Sequence, residues 1–298
     1  MSLLVTSAVS SSLAPIVQPP APNEVLRTPA TFANGYSFCA AIDTAGDTHV
    51  WGSNYWGQLN KPADLGPMKM IATGYYHVIC LQEDGAVRAW GYNNKGQTNI
   101  PANLGPVKQV AAAGYYSIIL LEDGSLIGLG ISVPAISNVV HVEVGFDHAI
   151  AILNNGSIVA FGSDRYGQVS VPASVNKVLG AGAGQYFSLV INQDETVTGF
   201  GSNDYGQITI PAGLIGVRGV DAGRWHSLFL LNDGSLQSIG RDYYSVVGNT
   251  PVVNNAIGVY AIGYSSIVLL DDGSLIGWGE NKNGKLDFPA GLVVKVPQ

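Results

Sequence analysis

The chain has 298 residues, 47% of them hydrophobic and only 12% charged, with 38 Gly, 14 Tyr and a formal charge of −7. That balance describes a folded, core-building protein and excludes a disordered tail protein or a coiled coil. Fourteen Lys plus Arg against 21 Asp plus Glu leave no basic stripe to neutralise a phosphate backbone, so no nucleic-acid partner is expected. Cys39 and Cys80 are too few for a disulfide framework, lack metal-ligand spacing and are read as buried thiols.

Residues 1–29 are rich in Ser, Ala and Pro, and Pro15, Pro19, Pro20 and Pro22 favour an extended polyproline arm. Its apolar start is too short to span a membrane and is broken by Ser2, Ser7, Ser10, Ser11 and Ser12. No Lys or Arg precedes Arg27, so the positive region of a secretion signal is missing and no signal peptide is expected.

From residue 30 the chain repeats. A Gly opens an aromatic-rich turn at Gly35, Gly74, Gly114, Gly145, Gly184, Gly223 and Gly263, at spacings of 39, 40, 31, 39, 39 and 40 residues. A second Gly follows 16 or 17 residues later, at Gly52, Gly91, Gly130, Gly162, Gly201, Gly240 and Gly279. In the second unit, residues 68–73 alternate, residues 77–82 are an apolar run, residues 86–90 alternate again and residues 98–100 form a short fourth segment, which predicts four strands. Asp84-Gly85, Asp123-Gly124, Asn155-Gly156, Asp233-Gly234 and Asp272-Gly273 predict type I′ hairpins between the second and third strands. The fifth unit has Asp194-Glu195 instead and is expected to turn differently. A proline closes each unit at Pro62, Pro101, Pro134, Pro172, Pro211, Pro251 and Pro289.

Seven four-stranded antiparallel meanders that cannot bury both faces alone predict an all-β, seven-bladed β-propeller over residues 30–298, carrying an extended N-terminal arm at 1–29. Crowding near the axis and turns at positive φ account for the glycine. Residues 292–296 repeat the start of a first strand, and residues 30–33 fit the same slot in blade 1, so either end of the chain is a candidate to close the ring. Blade 3 is shortened near 130–134, where three residues replace nine or ten, and its expected open edge is a candidate contact surface for a neighbouring subunit or the arm.

The units running from Gly74-Tyr75-Tyr76-His77 through Asp84-Gly85 and Trp90-Gly91 to Gly96-Gln97 and Ile100-Pro101-Ala102 resemble the regulator of chromosome condensation (RCC1) repeat. They look most like its short bacterial type, the form found in propeller-type β-lactamase inhibitory proteins. The resemblance spans the chain after residue 30 and implies the propeller fold, while the family's functions include nucleotide exchange, light sensing and enzyme inhibition. The units are shorter than those of the exchange factors, and only Gly223-Arg224-Trp225-His226 approaches the photoreceptor's repeated motif.

In a meander, the turn between strands one and two and the loop after strand three fall at one end of the blade. The first carries Tyr36, Tyr75, Tyr76, Tyr115, Tyr116, Phe146, Tyr186, Trp225 and Tyr264; the second carries Tyr55, Trp56, Tyr92, Tyr166, Tyr205, Tyr243 and Tyr244. Thirteen of the 14 tyrosines therefore fall on one rim, with Tyr260 elsewhere. Tyr and Trp supply stiff, amphipathic contact area, so Tyr55, Trp56, Tyr75, Tyr76, Tyr115, Tyr116, Tyr166, Tyr186, Tyr205, Trp225, Tyr243 and Tyr244 are the candidate partner-binding residues. The competing reading is that the rings wedge between blades. The resemblance implies that aromatic residues two positions after the opening Gly touch a partner. Those positions hold Tyr76, Tyr116, Tyr186 and Trp225, and Ser37, Asp147 and Ser265 interrupt them.

His77, His148 and His226 share one position in blades 2, 4 and 6, too far apart to converge on a metal, and are read as structural. No nucleophile elbow, phosphate loop, zinc motif or carboxylate pair is present, so neither an enzyme nor a cofactor is expected. The sequence points to a non-enzymatic protein-binding subunit of a larger assembly, such as a phage tail, baseplate or decoration protein, in a virion or extracellular setting. A secreted or periplasmic enzyme inhibitor is the alternative, and a glycan-binding lectin the third.

Overall fold

The structure, a computed structural model, describes residues 30–296; the arm expected at 1–29 lies outside the described residues. Seven antiparallel sheets of three strands follow one another along the chain. Blade 1 is Phe32–Asn34, Phe38–Ile42 and Thr48–Gly52, and blade 2 is Met68–Thr73, His77–Gln82 and Val87–Gly91. Blade 3 is Val107–Ala113, Tyr116–Leu121 and Leu126–Leu129, and blade 4 is Val139–Val144, His148–Leu153 and Ile158–Gly162. Blade 5 is Val178–Ala183, Phe187–Asn192 and Val197–Gly201, and blade 6 is Val217–Ala222, His226–Leu231 and Leu236–Gly240. Ala256–Ile262, Ser265–Leu270 and Leu275–Gly279 form blade 7.

Each second strand is buried along its whole length or all but its last residue. Successive side chains of a strand face opposite ways, and here both directions meet another blade. Phe38, Ala40 and Ile42 pack with Met68, Ile71 and Val78 of blade 2, whereas Cys39 and Ala41 pack with Tyr260, Ile267 and Leu269 of blade 7. Seven such apolar clusters, one per blade junction, close the ring. Continuous apolar runs in the sequence are therefore strands buried on both faces. Cys39 and Cys80 are fully buried free thiols, and burial pushes each up to about 12.

The first strands neighbour one another in order, and blade 1 meets blade 7. Both chain ends build blade 1. Phe32–Asn34 pairs with residues 39–41, and Val294 bridges Asp43. Ile42 joins the two pieces: its N–H donates to Thr31 O at 2.7 Å and its carbonyl accepts Lys295 N–H at 2.8 Å. The other six blades each carry a β-bulge near the start of the first strand, as between Met68 and Met70. In blade 1 the chain ends meet at that position.

Four sequence expectations are corrected. Among the described residues no sheet has a fourth strand. Residues 98–100 are held by local bonds, with Asn99 N–H on Gly96 O and Thr98 N–H on Asn93 Oδ1, so their backbone is committed before it reaches the third strand. The hairpins are not type I′, which would need two residues at positive φ. Gly85 alone is left-handed, at φ +85°, and Asp84 Oδ1 accepts the Ala86 N–H. Blade 5 turns the same way rather than differently, because Glu195 adopts φ +60° in the glycine's place and Asp194 caps Thr196. Nor is blade 3 singled out by an open edge: every blade ends on its third strand, and Ile131 and Val133 join the apolar cluster of Tyr116 and Ile118.

Candidate functional site

The second glycines have the true period. They pair with the first residues of the second strands, Phe38, His77, His148, Phe187, His226 and Ser265, and the turn-opening glycines drift against that frame. In blades 1, 2, 4, 5 and 6 the opening Gly precedes two turn residues. Gly74 is required there because a Cβ would lie 3.0 Å from Gly114 O of the next blade. In blades 3 and 7, Ala113 pairs with Tyr116 and Ile262 with Ser265, so Gly114 and Gly263 sit one residue further on, at φ +44° and +56°.

This shift moves two aromatics. Tyr116 is structurally equivalent to His77, not to Tyr76; it is 4% exposed, and its hydroxyl bonds the Gly145 and His148 carbonyls. It is a wedge beneath the rim, and the expectation that it binds a partner is corrected. Tyr115 and Tyr264 take the positions equivalent to Tyr76, so the outer turn positions read Ser37, Tyr76, Tyr115, Asp147, Tyr186, Trp225 and Tyr264.

The remaining rim rings meet across blade junctions in a regular way. The loop aromatic of one blade packs on the turn aromatic of the next: Tyr92 on Tyr115, Tyr166 on Tyr186, Tyr205 on Trp225 and Tyr243 on Tyr264, with centroids 4.6 to 5.8 Å apart. Trp56 packs on Tyr92 at 4.7 Å and on Tyr76 at 6.3 Å. Such tilted and edge-on pairs stabilise by about 0.5–1.5 kcal/mol each beyond burial. Turn rings are therefore half-buried supports, and loop rings stand out from them. Tyr55 is 81% exposed, and Trp56, Tyr115, Tyr166, Tyr205, Tyr243 and Tyr244 are also exposed. Tyr75 is the innermost, in contact with Tyr36, Tyr115 and Phe146, and burial holds its hydroxyl well above the usual phenol range.

The loops hold these rings by recurrent polar braces. Gln58, Gln168 and Gln207 are buried, and each accepts through Oε1 the N–H of the aromatic two residues earlier, Trp56, Tyr166 or Tyr205, at 2.8 to 3.0 Å. Asn54, Asp164 and Asn203 accept a further N–H five residues on. Blade 6 differs: Asp242 braces Val247 and Gly248, and Tyr244 is left-handed at φ +57°.

The chemistry of the face varies around the ring. Blades 1 to 3 present Tyr and Trp, and in blade 4 Arg165 lies 5.6 Å from the Tyr166 ring. In blades 5 to 7 two guanidinium groups stack among the rings: Arg241 lies 4.6 Å from both Tyr205 and Trp225, and Arg224 lies 4.7 Å from Trp225. Sequence reasoning passed over both arginines; the available signal was their place beside the face aromatics, directly after Gly223 and Gly240.

Beneath the face, first strands of all seven blades line an axial cavity of about 190 Å³. Asp221 borders it with both oxygens on backbone, Ala222 N–H at 2.7 Å and Ala261 N–H of blade 7 at 2.8 Å, and burial pushes its carboxyl up to about 8. The three aligned histidines tie one blade to the next. His77, His148 and His226 each reach through Nε2 to a serine hydroxyl one blade on, Ser117, Ser188 and Ser266, at 2.9 Å. Ser117 and Ser188 give their protons to Gln97 O and Gln168 O, so His77 and His148 donate to them through Nε2–H. Burial drives His77 down to about 4 and His226 down to about 3. No three His, Cys, Asp or Glu side chains gather as metal ligands among the described residues, and no helix there is long and apolar enough to cross a membrane.

The regulator of chromosome condensation (RCC1) repeat matches residues 70–97 and 139–168, each running from within a first strand to the glutamine brace of the loop. The chain carries RCC1 repeats. A comparison with curated proteins finds no match. Among solved structures, the RCC1-repeat propeller superposes on Prp20p of Saccharomyces cerevisiae with a TM-score of 0.67 at 19% identity, covering 79% of this chain and 81% of that one. The CRINKLY ectodomain of the Arabidopsis thaliana receptor kinase ACR4 gives 0.70 at 18% identity, over 89% and 98%. The C-terminal domain of gp131 from bacteriophage phiKZ gives 0.53 at 12% identity, over 92% and 98%. At these identities the likeness is one of fold.

Proposed function

We propose that this RCC1-repeat propeller is a non-enzymatic protein-binding module whose aromatic face grips its partner. The observation that carries the reading is the two-tier rim, in which exposed loop rings are fixed in place by mostly half-buried turn rings and glutamine braces. Side chains already ordered lose little entropy on binding, which is what a contact surface needs. Prp20p of Saccharomyces cerevisiae binds Gsp1p and histones, which supports protein recognition as one use of this architecture.

The finer reading is a subunit of a larger assembly, such as a phage virion component, joined to neighbouring subunits by residues 1–29. The fold likeness to a phage protein domain and the low surface charge support it. Tyr76→Ala, Tyr115→Ala and Trp225→Ala should each weaken binding to the protein that co-purifies from the native source by about 2 kcal/mol or more, as hot spots do. Unchanged binding with a lowered melting temperature would return these rings to packing alone. Loss of particle association on deleting residues 1–29 tests the assembly role, and a glycan array bound through the same rings would favour a lectin.

A further inference from the structure

We propose that Arg224 and Arg241, held over the Trp225 ring, form a carboxylate-binding site that takes an Asp or Glu side chain from an acidic loop of the partner protein. The inference rests on the reading of the face as a partner surface and gives one part of it a chemistry.

Stacking orients both guanidinium planes. Arg241 touches three rings, with Tyr243 at 5.3 Å besides Tyr205 and Trp225, and Arg224 lies 5.4 Å from Tyr264 as well as over Trp225. A stacked guanidinium keeps its N–H edge free for a fork-shaped acceptor. No ion pair of the described residues answers that edge: the four there use His49, His141, His148 and Lys295. Both cations lie within 4.7 Å of the Trp225 ring centre, so a carboxylate that docks beside that ring enters the positive field of both and accepts charge-assisted, bidentate bonds from a guanidinium edge.

The occupant follows from charge and from surroundings. A chain of net charge −7 has few cations to commit, and two of them stand here among exposed tyrosines. A phosphate polymer needs a run of about 6–10 basic contacts, which two arginines do not provide. A single acidic loop flanked by apolar residues matches both the cations and the rings around them.

The test uses the full-length protein and an acetylated, amidated hexaglutamate peptide, titrated by calorimetry at low salt against hexaglutamine and a short oligothymidylate. Hexaglutamate should bind where hexaglutamine does not, and R224Q/R241Q should weaken it by about tenfold or more, with R241Q alone in between and R224K/R241K retaining part of the affinity. Hexaglutamate binding that matches hexaglutamine, or that survives R224Q/R241Q at an unchanged melting temperature, overturns the site. Tighter oligothymidylate binding that needs the same arginines replaces the protein carboxylate with phosphate. With the native partner, weakening by Y76A/Y115A but not by R224Q/R241Q removes the site and keeps the face. Indifference to both pairs of substitutions removes the face.

Discussion

Replacing the His77 and Ser117 pair tests the inter-blade relay through its proton linkage. His77 is held neutral by burial, with its value lowered from 6.5 to about 4. Because the folded value lies below the unfolded one, the unfolded chain binds more protons in acid, and stability is lost as pH falls from about 6.5 towards 4. At about pH 5 the unfolded imidazole is almost fully protonated and the folded one is not, which costs about 2 kcal/mol relative to pH 7.5. The structure supplies its own replacement. One blade back, Phe38 and Val78 occupy the equivalent positions and are both buried in one apolar cluster. His77→Phe with Ser117→Val should therefore fold. Its urea midpoint, followed by tryptophan fluorescence, should gain about 2 kcal/mol on the wild type between pH 7.5 and 5. The comparison of the two proteins matters, since Asp221 titrates with the opposite slope and masks the effect in the wild type alone. An identical pH response in the variant would refute the reasoning.

Relative to the wild type, Asp221→Asn should gain stability as the pH rises from about 4 to about 8, because the folded carboxyl, raised to about 8 by burial, holds its proton while the unfolded one releases it; the amide forfeits one of the two backbone bonds at every pH, so the same denaturation series reads the slope and not the offset. Tyr116→Phe should lower stability by about 1–3 kcal/mol by leaving the Gly145 and His148 carbonyls short of a donor. It should leave partner affinity unchanged, in contrast to Tyr115→Ala. Val294→Pro should lower the melting temperature sharply. It removes the N–H that donates to Gly273 O at 2.9 Å in the strand that closes the ring.

The propeller was legible because the signals that build it are local and recur: a run buried on both sides, a left-handed glycine in six of the seven hairpins, a glycine at each third-strand end. What failed to read was governed by register between elements. Gly114 and Gly263 suit the turn as well one residue later as earlier, since glycine tolerates both the close approach and the positive φ. Counting from them misplaced Tyr116 by one position, enough to turn a buried wedge into an expected contact. Similarly, Thr98 to Ile100 has strand-like residues, but Asn93 takes its backbone bonds first. The arginines were invisible for a different reason. Their meaning comes from ring faces contributed by three blades, and no spacing along the chain encodes that convergence.

The divided first strand of blade 1 gives the disc a polarity. That strand runs from the junction of Thr31 and Lys295 towards the turn at Gly35 and Tyr36, so both ends of the ring leave on the side away from the tyrosines. A molecule attached at residue 30 or residue 296 starts from that end of the blade, opposite the aromatic turns. A fusion made directly at either of these residues should leave the aromatic face accessible to a second molecule.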